Sequence, residues 1–475
     1  MIGISKILSQ RKVVFVLALS VAVFMTGIFV IKAPSAVVLI SGGSVAIGLS
    51  MLWGVKWDVF QEGIIGTITS FLPAILILIA MGMLIGSWIV CGTVPLLIYY
   101  GLKAISPSWF LVTSLLLCTV MSLATGTSWG TIGTVGIALM GVSAGLGVPL
   151  HYTAGAVVTG AIFGDKLSPL SDTTVLASGV SGVYIFDHIK YMLWTTLPPY
   201  VIALVLYAFL GIHVSGEMPE KGQIDLILAT LETSFRLSPV LLLPPSVILI
   251  LVFWKKPALP TFAAGVIIAA FLAVLVQGVG PGEVSKVLLR GFSSPSGMDV
   301  VDRMLFRGGI NSMLGSILLP IAAAVFGSPL KVIGVIDIIL ESFGEVTRST
   351  RAFLAGIFLT HSFLFMITGS YYVTFAVMGP LVAPMFDRLN LHRANLSRVL
   401  EDTGTSFAPI IPWSITGAFV ANTLGVGTSE FALYAPITYL GMVFSLGYIV
   451  TNFRIASRDK VITAEGARQK AILEG

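Results

Sequence analysis

The sequence predicts an all-α polytopic membrane protein, with about 11–13 hydrophobic helices in two repeated halves whose helices are broken or re-entrant. Three observations predict it: scarce charge, uncharged runs too long for soluble helices, and polar interruptions that recur at matched places. Of 475 residues, 56% are hydrophobic and 10% charged, with a mean hydropathy of +0.99. A soluble domain carries about a quarter charged residues. Stretches 63–102, 104–164, 191–216, 237–253, 258–282, 308–330, 352–386, 403–429 and 431–453 contain no Asp, Glu, Lys or Arg. A bilayer core takes about 20 apolar residues per helical span, so several of these are long enough to cross twice. Barrel strands would be shorter and would alternate in polarity, which these runs do not.

In chain order, residues 1–55 carry two hydrophobic helices, 13–31 and 36–53. Lys6, Arg11 and Lys12 ahead of the first imitate a secretory signal, but so many spans follow that an uncleaved helix is expected. Residues 56–211 form a first transporter repeat, 212–299 a polar loop with linker helices, 300–453 a second repeat, and 454–475 a basic tail. The tail carries Arg454, Arg458, Lys460, Arg468 and Lys470, so the positive-inside rule places both termini in the cytoplasm of a multi-pass cell-membrane protein. The net charge of +5 therefore reports topology and not nucleic-acid binding. The segment 283–307 alternates sign through Arg290, Asp299, Asp302, Arg303 and Arg307 and reads as a solvated connector. Cys91 and Cys118 lie in apolar runs and fit neither a metal site nor a disulfide framework.

The repeat rests on four ordered correspondences. Gly86 and Gly92 match Gly327 and Gly334, and Thr125 to Ser128 match Thr368 to Ser370. Asp165 with Pro169 matches Glu401 or Asp402 with Pro409. Within the run 104–164, which as one helix would far exceed a bilayer at 1.5 Å per residue, TGTSWGT at 125–131 is the candidate break. Glycines weaken the helix and hydroxyls offer the backbone other partners. An extramembrane turn or a small-residue packing face is the alternative. FGDKLSPLSDTT at 163–174 packs Asp165, Asp172, Lys166, hydroxyls and Pro169 together. The proline frees carbonyls and the side chains supply hard oxygen ligands suited to alkali and alkaline-earth cations. Its alternative is a polar loop with Asp172 as a helix cap. EDTGTSFAPIIPWS at 401–414 is its partner in the second half. Matched broken segments in two halves point to a midplane binding site.

At these residues the chain resembles the NhaC-type sodium/proton antiporter family of the ion transporter superfamily. The resemblance rests on TGTSWGT at 125–131, GAIFGDKLSPLSDTT at 160–174, GTVPLLIYYGL at 92–102, and LSRVLEDTGT with PW within 396–413. It implies inverted repeats whose broken helices meet at the ion site, sodium and protons as substrates, and no cofactor. Relatives that couple these ions to malate, lactate or amino acids keep organic-acid or amino-acid exchange as the alternative. Asp172 is the first choice for the sodium-binding carboxylate and Asp165 the second. Thr127, Ser128, Ser168, Ser171 and Thr173 add hydroxyls from the first half. Glu401, Asp402, Thr403, Thr405 and Ser370 contribute from the second. Lys166 is the charge partner, either tuning these carboxylates or pairing structurally with Asp165 or Glu401. A carboxylate in a partly dehydrated cavity suits exchange because a proton or a sodium ion occupies it, not both.

His361 is a candidate proton relay or a packed, hydrogen-bonded residue, and Asp337 a candidate cavity residue. The remaining histidines need no special role. An organic-anion exchanger would want a fixed donor, for which Lys166, Asn395 and Asn422 are on offer. A ring-built channel filter fits two dissimilar halves poorly. No metalloprotease, nucleophile-elbow or phosphate-loop motif suggests an enzyme. The partners expected are small ions and the lipid bilayer, and a homodimer is one arrangement the sequence allows.

Overall fold

The computed structural model describes residues 8–104, 106–214, 221–254, 256–335, 338 and 349–457. Lys6, Asp337, Arg458, Lys460, Arg468 and Lys470 lie outside the described residues. Apart from an isolated bridge between Leu391 and Ser457, the regular elements described are helices. Among the described residues nine are long and apolar enough to cross a membrane, or eleven if each of two bent pairs is one span. The chain is a multi-pass membrane protein.

The first helices are α1 (Gln10–Met25), α2 (Ser35–Leu52), α3 (Trp57–Val90) and α4 (Thr93–Ala104). They are followed by α5 (Phe110–Thr125), α6 (Ser128–Thr131), α7 (Ile137–Gly145), α8 (Leu150–Leu167), α9 (Asp172–Ser181) and α10 (Ile185–Val214). The linker holds α11 (Lys221–Ser234), α12 (Leu243–Phe253), α13 (Ala258–Leu275), α14 (Pro281–Arg290) and α15 (Asp299–Leu305). The remainder comprises α16 (Ile310–Val332), α17 (Thr350–Thr368), α18 (Tyr371–Arg388), α19 (Ala394–Thr403), α20 (Ile415–Leu424), α21 (Thr428–Phe431) and α22 (Pro436–Thr451). Prolines inside α3, α10 and α16 are tolerated because neighbouring helices shield the freed backbone groups. Buried hydroxyls bond back along their own helix, as Ser114 does to Phe110 O at 2.8 Å and Thr119 to Leu115 O at 2.8 Å.

The apolar interior divides into two large clusters and a small one of Phe71, Ile75, Ala324 and Ile415. One large cluster gathers α3 to α15, and the other joins α1 and α2 to residues 322–413. The short helices cross between them: Ala177 of α9 belongs to the second cluster, whereas Phe419, Val420 and Leu424 of α20 belong to the first. Each half therefore pushes one short helix into the packing of the other. α5 and α8 meet backbone to backbone, because a methyl on Gly164 would lie 2.6 Å from Leu123 N and one on Gly160 would strike Leu115 O. Ser122 Oγ donates to Ala161 O at 2.6 Å and locks that contact.

The segment 283–307 is not the solvated connector expected. Val284, Val287, Val301, Met304 and Leu305 are buried, since α14 and α15 are amphipathic and lay their apolar faces on the bundle. Beyond them the chain passes α3 with almost no clearance: Gly309 N donates to Gly82 O at 2.7 Å, and a methyl on Gly308 would lie 2.5 Å from Gly86 N. Gly291 and Gly309 abut in the same way.

Local geometry recurs between the halves at a nearly constant interval. Gly92 and Gly334, just past α3 and α16, have φ of 91° and 93°. Gly126 and Gly369 end α5 and α17 with φ of 69° and 66°. Ser171 and Ser414 cap α9 and α20, which end at Gly182 and Gly425 with φ of 67° and 71°.

Candidate functional site

Each break begins where the sequence withdraws helical support. After α5, Gly126 turns left-handed, Thr127 is extended, and the Thr127 hydroxyl accepts from Gly130 N at 3.1 Å to start α6. Only two residues of TGTSWGT leave the helix. Asp165 and Lys166 occupy the last turn of α8, and residues 168–171, with Pro169, separate it from α9. Ser171, rather than Asp172, is the cap of α9; Asp172 is its first helical residue. In the second half Glu401, Asp402 and Thr403 end α19, and the chain passes through a single 3-10 turn at Ala408–Ile410, holding Pro409, and through Pro412 before Ser414 caps α20. By the interval of the caps, Pro412 and not Pro409 corresponds to Pro169.

The two breaks meet. Lys166 Nζ donates to Asp402 Oδ1 at 2.9 Å and also to Ser406 Oγ. Thr195 Oγ1, from α10, donates to the same Oδ1 at 3.0 Å. Ser128 Oγ, from the start of α6, donates to Asp165 Oδ2 at 2.6 Å. Asp165 is 2% exposed, Lys166 1%, Glu401 and Asp402 0%. Within this dry cluster Asp165 Oδ1, Asp402 Oδ2 and both Glu401 oxygens have no hydrogen-bond partner among the described residues. Thr405 stands beside Glu401, yet its buried hydroxyl closes no bond either. Buried charges normally find partners, so these carboxylate oxygens stand out.

Asp172 differs from its neighbours. It is exposed, with Oδ1 accepting from Thr173 N at 3.0 Å and Oδ2 accepting from the Tyr372 hydroxyl of α18. Ser168 Oγ donates to Leu123 O at 2.9 Å, and Ser171 and Thr173 share a 3.0 Å hydrogen bond. Thr403 Oγ1 donates to Val399 O at 2.6 Å and meets His361 Nδ1 at 2.6 Å. Ser370 is buried at the head of α18, two residues before Tyr372. His361 is thus packed and hydrogen-bonded, with Nε2 unpartnered.

Several participants carry no sequence signal of their own. Thr195 and Tyr372 lie outside the motifs read from the sequence, and only the fold brings them to a carboxylate, whereas Ser406, which meets Lys166, lies within 401–414 and was within reach of that reading. His188 is fully buried, with Nδ1 2.8 Å from Ser397 Oγ. Arg398 is buried four residues before Asp402, a spacing that places both on one face of α19 and could have been read directly. Asn395 spends its amide on His392 O and Ala456 O, at 2.8 and 2.9 Å.

Among the described residues no group of three or more His, Cys, Asp or Glu side chains could hold a metal ion. The oxygens that converge instead belong to paired carboxylates, hydroxyls and interrupted backbone.

Comparison with known proteins gives the family of the chain. The family described as "Na+/H+ antiporter family" matches residues 2–178 and 160–453. The chain is similar to the "Na(+)/H(+) antiporter NhaC" of Alkalihalophilus pseudofirmus, at 36% identity over 91% of this chain and 94% of that protein. It is similar to the "Malate-2H(+)/Na(+)-lactate antiporter" of Bacillus subtilis, at 36% identity over 96% and 97%. It is also similar to the "Arginine/ornithine antiporter ArcD" of Halobacterium salinarum, at 36% identity over 84% and 82%. With both breaks inside the matched residues and most of each relative covered, the chain belongs to the Na+/H+ antiporter family.

Proposed function

We propose that this protein exchanges sodium ions for protons across the cell membrane, and that the carboxylate of Asp165 is the group for which the two ions compete. The observation that carries this is the unfilled Oδ1 of a fully buried Asp165 whose other oxygen is held by Ser128. An isolated carboxylate in such a place is costly, so it takes up a proton or a cation. Sodium arriving there displaces the proton. Hydroxyls of Ser128, Ser171 and Thr173 and carbonyls freed around Gly126 and Pro169 complete an oxygen shell suited to an alkali cation. Lys166 is closed off by Asp402 and Ser406, so its charge serves the junction between the halves rather than an incoming ligand. Asp172, tied to Tyr372, stands at the accessible edge as the approach to the site.

Residues 56–211 and 300–453 are read as two copies of one unit in opposite orientation. The matched glycines and caps support this, as do short helices inserted into opposite cores. Both termini are assigned to the cytoplasm. Lys12 Nζ lies 5.1 Å from the Trp53 ring, which puts the start of α1 and the end of α2 at one face with Lys56, and positive charge favours the cytoplasmic side.

Exchange of organic acids or amino acids is the second reading, favoured by one feature: buried Arg398 leaves Nε and Nη2 without partners among the described residues, a fork that fits a carboxylate. Proteoliposomes with a trapped pH probe separate the two. A sodium gradient alone should move protons. Flux that appears only when malate, lactate or arginine is added would replace sodium/proton exchange with the second reading.

A further inference from the structure

The interrupted pairs α8–α9 and α19–α20 run in opposite senses. The start of α8 lies at His151 and Tyr152, whose rings are 4.9 and 4.6 Å from that of Tyr434, just before α22. The start of α19 lies past the other end of α22, where Asn395 Nδ2 reaches Ala456 O. The C-terminal end of α9 therefore emerges at the Ala456 face, and that of α20 at the Tyr434 face.

An arginine stands at each of these ends. Arg307 Nη2 donates to Thr423 O at 3.3 Å, a carbonyl of the last turn of α20, and packs against Gly425. Arg393 packs against Gly182, where a methyl would lie 2.9 Å from Nη1. Asp387 of α18 aims it, accepting from Nη2 at 2.5 Å and from Nε at 3.1 Å. A cation at a helix C-terminus is attracted by the partial negative charge of the unpaired carbonyls. The last turns also share a weakness: Ser181 Oγ and Thr423 Oγ1 are buried with no hydrogen-bond partner among the described residues. The arginines are not counterparts in the chain, since Arg307 precedes α16 and Arg393 precedes α19. The repeat therefore does not account for them; both ends acquired a cation separately.

We infer that Arg307 and Arg393 are positioning residues that clamp α20 and α9 from opposite membrane faces, each holding its short helix in the register that keeps that face closed over the ion site. The part concerning the ion site rests on the function proposed above.

The test uses the full-length protein with Ser181→Cys or Thr423→Cys as reporters. The native Cys91 and Cys118 are buried and stay silent. A membrane-impermeant maleimide is applied from either face of reconstituted, monodisperse protein. Arg393→Ala should speed labelling at 181 about fivefold, the scale of a cation lost from a helix C-terminus on a local opening, and leave 423 unchanged. Arg307→Ala should do the reverse. In oriented vesicles the same variants should shift the sodium KM at one face each while kcat changes little, and Arg→Lys should restore part of the effect. Equal changes at both reporters, or none, overturn the clamp. Because labelling needs no transport, a chain that labels as expected yet moves no sodium would keep the clamp and overturn the antiport reading. Should an alanine variant fail to fold, Arg307→Lys and Arg393→Lys give the same comparison.

Discussion

The two interrupted helices solve one problem in different ways. In α8–α9 the break spans residues 168–171, and its buried carboxylate, Asp165, is held by a neutral hydroxyl with one oxygen unfilled. In α19–α20 the break runs from 404 to 414, and its carboxylate, Asp402, is tied to Lys166 and Thr195. On the function proposed above, the first arrangement takes the exchanging ion, whereas the second joins the halves through Lys166 and Asp402, although Asp402 Oδ2 and both Glu401 oxygens also lack partners among the described residues.

The largest expected effect comes from removing that division at its active end. Asp165→Asn should abolish sodium-driven proton flux in proteoliposomes while the protein still inserts and purifies as one species; wild-type flux would remove Asp165 from the exchange. Next in size is Lys166→Met, which strands Asp402 as an uncompensated buried charge at a cost of about 3–5 kcal/mol. Thermal unfolding in detergent should report the loss, and Lys166→Met with Asp402→Met should recover much of it. A double variant no more stable than the single one would mean that the pair is not what joins the halves.

Smaller effects sharpen the contrast. Ser128→Ala takes away the hydrogen bond from Ser128 Oγ to Asp165 Oδ2, worth about 1.5–3 kcal/mol, and should raise the sodium KM by roughly tenfold or more. Thr195→Val should barely change it, because Lys166 still holds Asp402. Reversal of that order would exchange the roles of the two breaks. At the accessible edge, Tyr372→Phe and Asp172→Asn should each raise the sodium KM modestly. Their double variant should add little, since both act through one hydrogen bond; additive effects would separate them.

The membrane fold was legible because uncharged runs leave few alternatives, and the breaks were legible because Gly, Pro and hydroxyls interrupt those runs. Their limits were less so: Asp165, Lys166, Glu401 and Asp402 belong to helix ends, since the helical turn persists until a proline or glycine stops it. The proposed site also puts Asp165 before Asp172. Asp172 stands among hydroxyls in the sequence, but position along a helix does not give depth, and packing of α8 on α5 buries Asp165 instead. Lys166 met neither Asp165 nor Glu401 but Asp402, a long-range pairing that only the crossing of the two breaks determines. Alternating charge in 283–307 suggested solvent because charge pattern outweighed the valines at 284, 287 and 301 that face the bundle.

The glycine crossing of residues 291–309 over α3 bears on how the protein can be tagged. Gly280 and Gly282, where a side chain would meet nothing within 4 Å, lie only a few positions upstream and offer a place to graft an affinity or fluorescent label. A residue inserted at 307–309 would lever the connector off α3 and carry Arg307 away from the end of α20, so a label there would report a damaged transporter.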